Sequence, residues 1–140
     1  MIPCATACYW HPTWPYKSPL TGLSSQALGD GYEKATGRQW TQQVGASMAL
    51  LDAGFATLMN SGNPKNKSEV AKAMSVLKVV TPVGPINFTT GPVPNVSATP
   101  IIGAQWLKAT GGRYKLRLPL TENADDTHVP IGAQLVPYNS

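Results

Sequence analysis

Charged residues, cysteines, histidines and long apolar runs are all scarce in this sequence. Only 13% of its 140 residues are charged, and it contains two cysteines and two histidines. Two cysteines, Cys4 and Cys8, cannot build a multi-disulfide scaffold. With so few histidines and carboxylates, the spacing assigns no catalytic triad and no carboxylate pair. We therefore predict a protein that is not an enzyme, with no catalytic residue and no cofactor.

No apolar run approaches the roughly 18 to 20 residues of a membrane span, which indicates a soluble chain. Residues 1–8 lack the charged and apolar regions of a secretory signal, so an exported protein would need an upstream segment. The net charge of +4 comes from 11 basic and 7 acidic residues. Because the basic residues are scattered rather than gathered on one face, nucleic-acid binding is not predicted.

Two small groups of residues contain side chains capable of chemistry. Cys4, Cys8 and His11 offer zinc-type ligands, but their spacing matches no common site, and a fourth ligand would have to come from His128 or a distant carboxylate. The segment around Ser47 lacks the second glycine of a nucleophile elbow and lies in a predicted helix. We predict no metal site and a structural role for the serine.

Proline and glycine are abundant, at 13 residues each, and break the chain into short elements. Residues 1–140 are predicted to form a single partial domain. Its predicted parts are an irregular aromatic and proline-rich segment over 1–23, a helical segment over 24–78, a β segment over 79–120 and a tail over 121–140 laid over the surface.

Capping residues and the spacing of apolar residues predict about three helices followed by a β-hairpin. Ser24 or Ser25 starts the first helix and Gly37 ends it. The second spans about 44–61, with Gly62 as its stop, and carries large apolar residues at helical spacing. These are Val44, Met48, Leu51, Phe55, Leu58 and Met59. Asn66 and Glu69 form a capping-box pattern for the third, and residues 101–107, 110–112 and 114–118 read as strand, turn and strand.

Four aromatic residues lie in loop-like segments or at an element boundary. Trp10, Trp14, Tyr16 and Trp40 could wall a pocket for a small molecule. Tryptophan is also a frequent packing residue, so burial in the core is the competing interpretation.

A series of short phrases, in order along the chain, resembles the branched-chain amino-acid solute-binding proteins, the type I periplasmic-binding-protein family. The resemblance covers about residues 9–120. It rests on residues 11–22, 32–33, 36–42, 49–54, 81–88, 94–96, 103–106 and 114–116.

The resemblance implies a partial, truncated α/β fold of that family, corresponding to its C-terminal portion. Complete members have two lobes that close on an amino acid or similar solute and deliver it to an ABC permease, outside the cytoplasm. Trp40 and Trp10 would correspond to aromatic positions at the ligand cleft. The acidic residue that the family places just before its aromatic pair has no counterpart at Ala7 or Cys8, so the resemblance assigns no amino-group ligand to this segment.

Two alternatives stay open. One is an amide- or urea-type solute receptor on the same fold. The other is a small standalone interaction protein that dimerises through an exposed apolar face.

Overall fold

The computed structural model describes residues 4–137. It contains three helices and short antiparallel strands, which confirms the mixed α/β class. The elements in chain order are β1 Cys4–Cys8, α1 Ser25–Thr36, α2 Gln43–Asn60, α3 Lys67–Ser75, β2 Lys78–Thr81, β3 Gly84–Asn87, β4 Ile102–Lys108, β5 Leu116–Arg117 and β6 Leu120–Glu122. No helix within residues 4–137 has the length and apolar character needed to cross a membrane.

The ends of α1 follow the sequence prediction. The Ser24 hydroxyl accepts a hydrogen bond from the Ala27 N–H at 3.1 Å and caps the first turn. At the other end Gly37 has φ of 73°, and its N–H donates to the Glu33 carbonyl at 2.9 Å. Glycine adopts this left-handed conformation without strain, which explains why α1 ends there.

The start of α3 is capped by Asn66, as predicted, although the reciprocal bond differs. The Asn66 side-chain oxygen accepts from the Ser68 N–H at 3.0 Å and the Glu69 N–H at 3.4 Å. The Glu69 carboxylate accepts from the Asn66 side-chain amide at 2.9 Å. A capping box would instead use the Asn66 backbone N–H.

The main sheet is organised around β4. On one side β1 pairs with it antiparallel, in a register running from Cys4 opposite Trp106 to Cys8 opposite Ile102. On the other side lie β6 and β5, and the pairing of Leu107 with Arg117 confirms the predicted hairpin. A separate two-stranded antiparallel sheet joins β2 and β3.

The C-terminal segment, predicted as a tail laid over a surface, has no helix or strand after Glu122 within the described residues and packs against the main sheet. β6 pairs with β4, and Val129 is fully buried in the core. The Gln105 side chain donates to the Val136 carbonyl and accepts from its N–H, both at 2.9 Å. These contacts satisfy buried polar groups of β4 that a loose tail would leave without partners.

The faces of α2 divide by residue size. Its buried residues are small or polar, namely Gly45, Ala49, Asp52, Ala53 and Thr57. Leu51, Phe55 and Met59, from the apolar pattern of the sequence, are 60%, 50% and 74% exposed. Small side chains let α2 approach the aromatic core closely, and Val44 packs against that core, whereas Leu51, Phe55 and Met59 are largely exposed.

The core is centred on Trp10, which is fully buried. Gly45 lies directly beneath its indole ring, and a Cβ atom there would overlap three ring carbons. The close approach of α2 to Trp10 therefore requires glycine at this position.

We expect Gly45→Ala to destabilise the protein by about 1–3 kcal/mol, because overpacking outweighs the gain in helix propensity. Gly54→Ala is the matched control in the same helix, since a Cβ there meets no atom within 4 Å. That control should be neutral or stabilising by up to about 1 kcal/mol. Equal effects of both substitutions in urea denaturation would contradict the close-packing account.

Candidate functional site

A pocket of about 460 Å³ opens between the turn after β1, the start of α2 and the β5–β6 region. Its walls come from parts of the chain more than 100 residues apart, including residues 11–13 and 130–132. Apolar walls are supplied by Pro12, Trp40, Leu118 and Ile131. A concave, mostly apolar site with a few polar groups is typical of small-molecule binding.

Trp40 lies on the wall of this pocket and is half-buried. It meets Trp10 edge to face, with ring centroids 5.8 Å apart, and meets His11 in the same way at 4.8 Å. The Glu33 carboxylate accepts a hydrogen bond from the backbone N–H of Trp40 at 3.2 Å. This bond holds the segment between α1 and α2 in place. The indole is thus fixed in orientation and still has surface open to the pocket.

Trp10 lies behind the pocket and does not line it. Its indole N–H donates to the Ser25 hydroxyl at 3.2 Å, so the buried donor is satisfied. Trp10 is fully buried, as a packing residue would be, and its contact with a solute stays a prediction. Its place against Trp40 makes it a support for the pocket wall.

The other two aromatic candidates also serve packing. Trp14 is 2% exposed and meets Tyr16 edge to face. The Tyr16 hydroxyl donates to the Asp126 carboxylate, which links the aromatic segment to the C-terminal region. Burial, and then the contact with Asp126, raises the pKa of Tyr16 to about 12. Neither residue lines the pocket around Trp40.

His11 contributes a neutral ring to the pocket. Burial lowers the pKa of His11 from its ordinary 6.5 to about 4, partly offset by a hydrogen bond to the Leu118 backbone. The Nδ1 atom accepts from the Thr13 N–H at 3.1 Å, which leaves the proton on Nε2. At neutral pH the histidine therefore brings no charge to the site.

Besides His11, the polar part of the pocket consists of Thr13, Gln26, Gln39 and Arg117. The Gln39 amide donates to the Leu116 carbonyl at 3.0 Å, so its orientation is fixed. Arg117 is exposed and offers a guanidinium group, which pairs well with carboxylates. The arrangement provides amide groups, a cation and apolar walls, and the Thr13 hydroxyl lies 2.8 Å from the His11 Nδ1 atom.

The cysteines and the candidate serine lie elsewhere. Cys8 is buried and its pKa is raised to about 11, chiefly by burial, while Cys4 is exposed. Within residues 4–137 no three histidine, cysteine or acidic side chains are grouped so that they could hold a metal ion. Ser47 is exposed on α2, consistent with a structural helix serine.

Comparison with protein-family models and with curated proteins finds no match for this chain. The site must therefore be interpreted from its own geometry.

Sequence reasoning missed Gln39 and Arg117 and considered His11 only as a metal ligand. Gln39 precedes Trp40, so adjacency was an available signal. Arg117 belongs to an alternating strand whose outward positions are ordinarily solvated. Only the pairing of β5 with β4 places it beside a pocket.

The lowered pKa of His11 predicts acid sensitivity. Between about pH 6.5 and 4 the unfolded chain binds a proton at this residue and the folded chain does not. The free energy of unfolding should therefore fall as the pH drops across this window. His11→Gln should flatten that dependence in denaturation curves recorded from neutral to acidic pH, and parallel curves for the two proteins would contradict the assignment.

Proposed function

We propose that this chain is the C-terminal portion of a solute-binding component of an ABC importer. Its solute is a branched-chain amino acid or a related small polar molecule, bound in a cleft between two lobes and passed to the permease. The proposal places the complete protein in the periplasm or an equivalent extracytoplasmic space. It involves binding and release, with no chemical step and no cofactor.

The observation that carries the proposal is the position of Trp40. It lies just before α2, half-buried, with its ring directed by Trp10 and His11 and one face on a pocket of about 460 Å³. A rigid aromatic wall gains free energy by excluding water from the apolar part of a solute. Arg117 on the same pocket suits a carboxylate.

The order of family-like phrases supports the same proposal. Three of the phrases that carry the resemblance lie at the pocket. The phrase over 11–22 contributes His11, and the phrase over 36–42 contributes Gln39 and Trp40. The phrase over 114–116 borders the pocket. A mixed α/β chain with three helices and a late hairpin agrees with the partial fold that the resemblance implies. The type I periplasmic-binding-protein fold itself remains part of the proposal.

An amide- or urea-type solute is the alternative ligand on the same fold. Gln26 and Gln39 present amide groups that can exchange hydrogen bonds with a neutral amide. A pocket selective for neutral amides would not need Arg117. Replacement of Arg117 therefore separates the two ligand classes.

We expect the isolated chain to bind leucine, isoleucine and valine weakly, since the family resemblance assigns most carboxylate and amino-group ligands to the other lobe. Titration followed by NMR should shift the Trp40 indole signal. Arg117→Gln should weaken amino-acid binding and leave acetamide binding unchanged. Submicromolar affinity would contradict the statement that most ligand-binding groups lie outside this chain. An unmoved Trp40 indole signal at high solute concentration would contradict solute binding in the pocket around Trp40.

Trp40→Ala should abolish these solute-induced shifts with a modest loss of stability. Truncation of a fully buried aromatic residue costs about 3–5 kcal/mol, and we expect this for Trp10→Ala but not for half-buried Trp40. A large fall in melting temperature for Trp40→Ala, with unaltered solute shifts in the folded fraction, would show that Trp40 is a core residue.

A second candidate function is supported by the exposed apolar face of α2. Leu50 and Leu51 are 74% and 60% exposed, and Phe55 and Met59 are 50% and 74% exposed. Apolar surface contributes about 25 cal/mol per Å² on burial, so such a face favours association. A small interaction protein that dimerises through α2 would explain it.

Self-association should therefore be detectable by light scattering at high protein concentration. Leu51→Lys with Phe55→Lys should reduce it, because both positions are exposed on α2 and the charges oppose burial. Lys at exposed Gln43 and Ser47 is the matched control, with the same added charge on polar positions. A monodisperse monomer at all concentrations would exclude this candidate.

A further inference from the structure

A second cavity, of about 310 Å³, lies between α2 and the turn over residues 18–22. It is lined by Pro19, Leu20, Asp52, Phe55, Ala56 and Met59. The lining shares no residue with the pocket around Trp40. A single acidic residue thus lies in a wall that is otherwise apolar.

Asp52 is 1% exposed, yet only one of its oxygens is satisfied. The Oδ1 atom accepts from the Ser18 hydroxyl at 2.7 Å and from the Leu20 N–H at 3.2 Å. The Oδ2 atom is buried and has no hydrogen-bond partner among residues 4–137. Burial of a carboxylate oxygen without a partner is unfavourable, so this atom has an unmet need for a donor.

The neighbouring turn is held by its own hydrogen bonds and does not supply that donor. The Ser18 hydroxyl, besides donating to Asp52, accepts from the Thr21 N–H at 3.1 Å. The Gly22 N–H donates to the Ser18 carbonyl at 2.8 Å, and Gly22 has φ of 73°. The Ser18 hydroxyl and the backbone N–H groups of residues 20–22 are therefore already engaged.

A ligand in the cavity would reach Oδ2 once the surrounding side chains move apart. Leu20, Phe55 and Met59 around the cavity are 41%, 50% and 74% exposed. Exposed side chains change rotamer rapidly, so they can separate and then close over an apolar chain. The same three residues would cover the methylene groups of a ligand whose polar end reaches Asp52.

We propose that this cavity binds an alkylammonium group, with the ammonium donating to Asp52 Oδ2 and the alkyl chain lying against Leu20, Phe55 and Met59. An ammonium needs a single open acceptor, whereas a guanidinium binds best to two oxygens at once, and Oδ1 is already occupied. The group could belong to a free amine or to a lysine side chain of a partner protein. This proposal does not depend on solute transport.

The test is an NMR titration of the full chain with n-pentylammonium chloride, with n-pentanol as the uncharged probe of similar shape. We expect saturable shifts at the amides of Leu20, Phe55 and Met59 with the ammonium and at least about tenfold weaker binding of the alcohol. Equal binding of the two probes, or no saturable shift with the ammonium, would overturn the proposal. This comparison uses the unaltered protein, so it does not depend on the folding of any variant.

Asp52→Asn then assigns the site. Asparagine keeps the Oδ1 acceptor for Ser18 and Leu20 and replaces Oδ2 with an amide donor, which repels an ammonium. Binding of pentylammonium should fall at least about tenfold. The matched control is Asp30→Asn, an equal charge change at an exposed position of α1, which should leave binding unchanged. Unaltered binding in Asp52→Asn, or an equal loss in both variants, would overturn the proposal.

A further titration distinguishes the two sources of the ammonium group, a free amine and a lysine side chain of a partner protein. An acetylated Leu-Lys-Leu peptide amide that binds more tightly than pentylammonium, and loses this binding in Asp52→Asn, identifies the lysine of a partner protein. If the peptide binds more weakly than pentylammonium, and pentylammonium binding still depends on Asp52, the natural ligand is a free amine. Absence of Asp52-dependent binding for both probes contradicts the site itself.

Discussion

The packing of Trp10 against Gly45 is the contact on which the rest of this structure depends. The indole is fully buried, so α2 can cross it only where the helix has no side chain. That contact fixes how closely α2 approaches Trp10, whose ring stands perpendicular to that of Trp40. A dense core transmits such a constraint to its neighbours, and the pocket wall is one of them.

Gln42 reinforces the same junction. Its side-chain amide accepts from the Tyr9 N–H at 2.8 Å and donates to the Ala7 carbonyl at 3.2 Å, so it satisfies the edge of β1 and makes no cap for α2. Asp52, further along α2, accepts from Ser18 and Leu20 and secures the proline-rich segment. One helix therefore positions both the aromatic segment and the turn, through polar contacts whose partners are distant in sequence.

The aromatic segment shows how far the sequence could lead. Its prolines exclude a continuous helix, and its aromatic residues fit either a pocket or a core. The structure divides them, with Trp10 and Trp14 in the core and Trp40 on a pocket wall. Trp10 belongs to the core because its ring lies over Gly45. The spacing of residues along the chain does not reveal which ring packs against that glycine. The pocket needs residues near both ends of the chain, so no local pattern could have assembled it.

The sequence by itself determined the helix ends and the late hairpin, but it did not reveal β1, which lies in a segment predicted to be irregular. Ser24, Gly37 and Asn66 set helix ends because capping is an interaction within one turn, and the glycine-containing turn between two apolar segments specified the hairpin. Tertiary structure alone decided which face of α2 is buried, the incorporation of the C-terminal region beside β4, and the neutral state of His11. These depend on contacts between distant segments and on the exclusion of water, which arise only when the whole chain is packed.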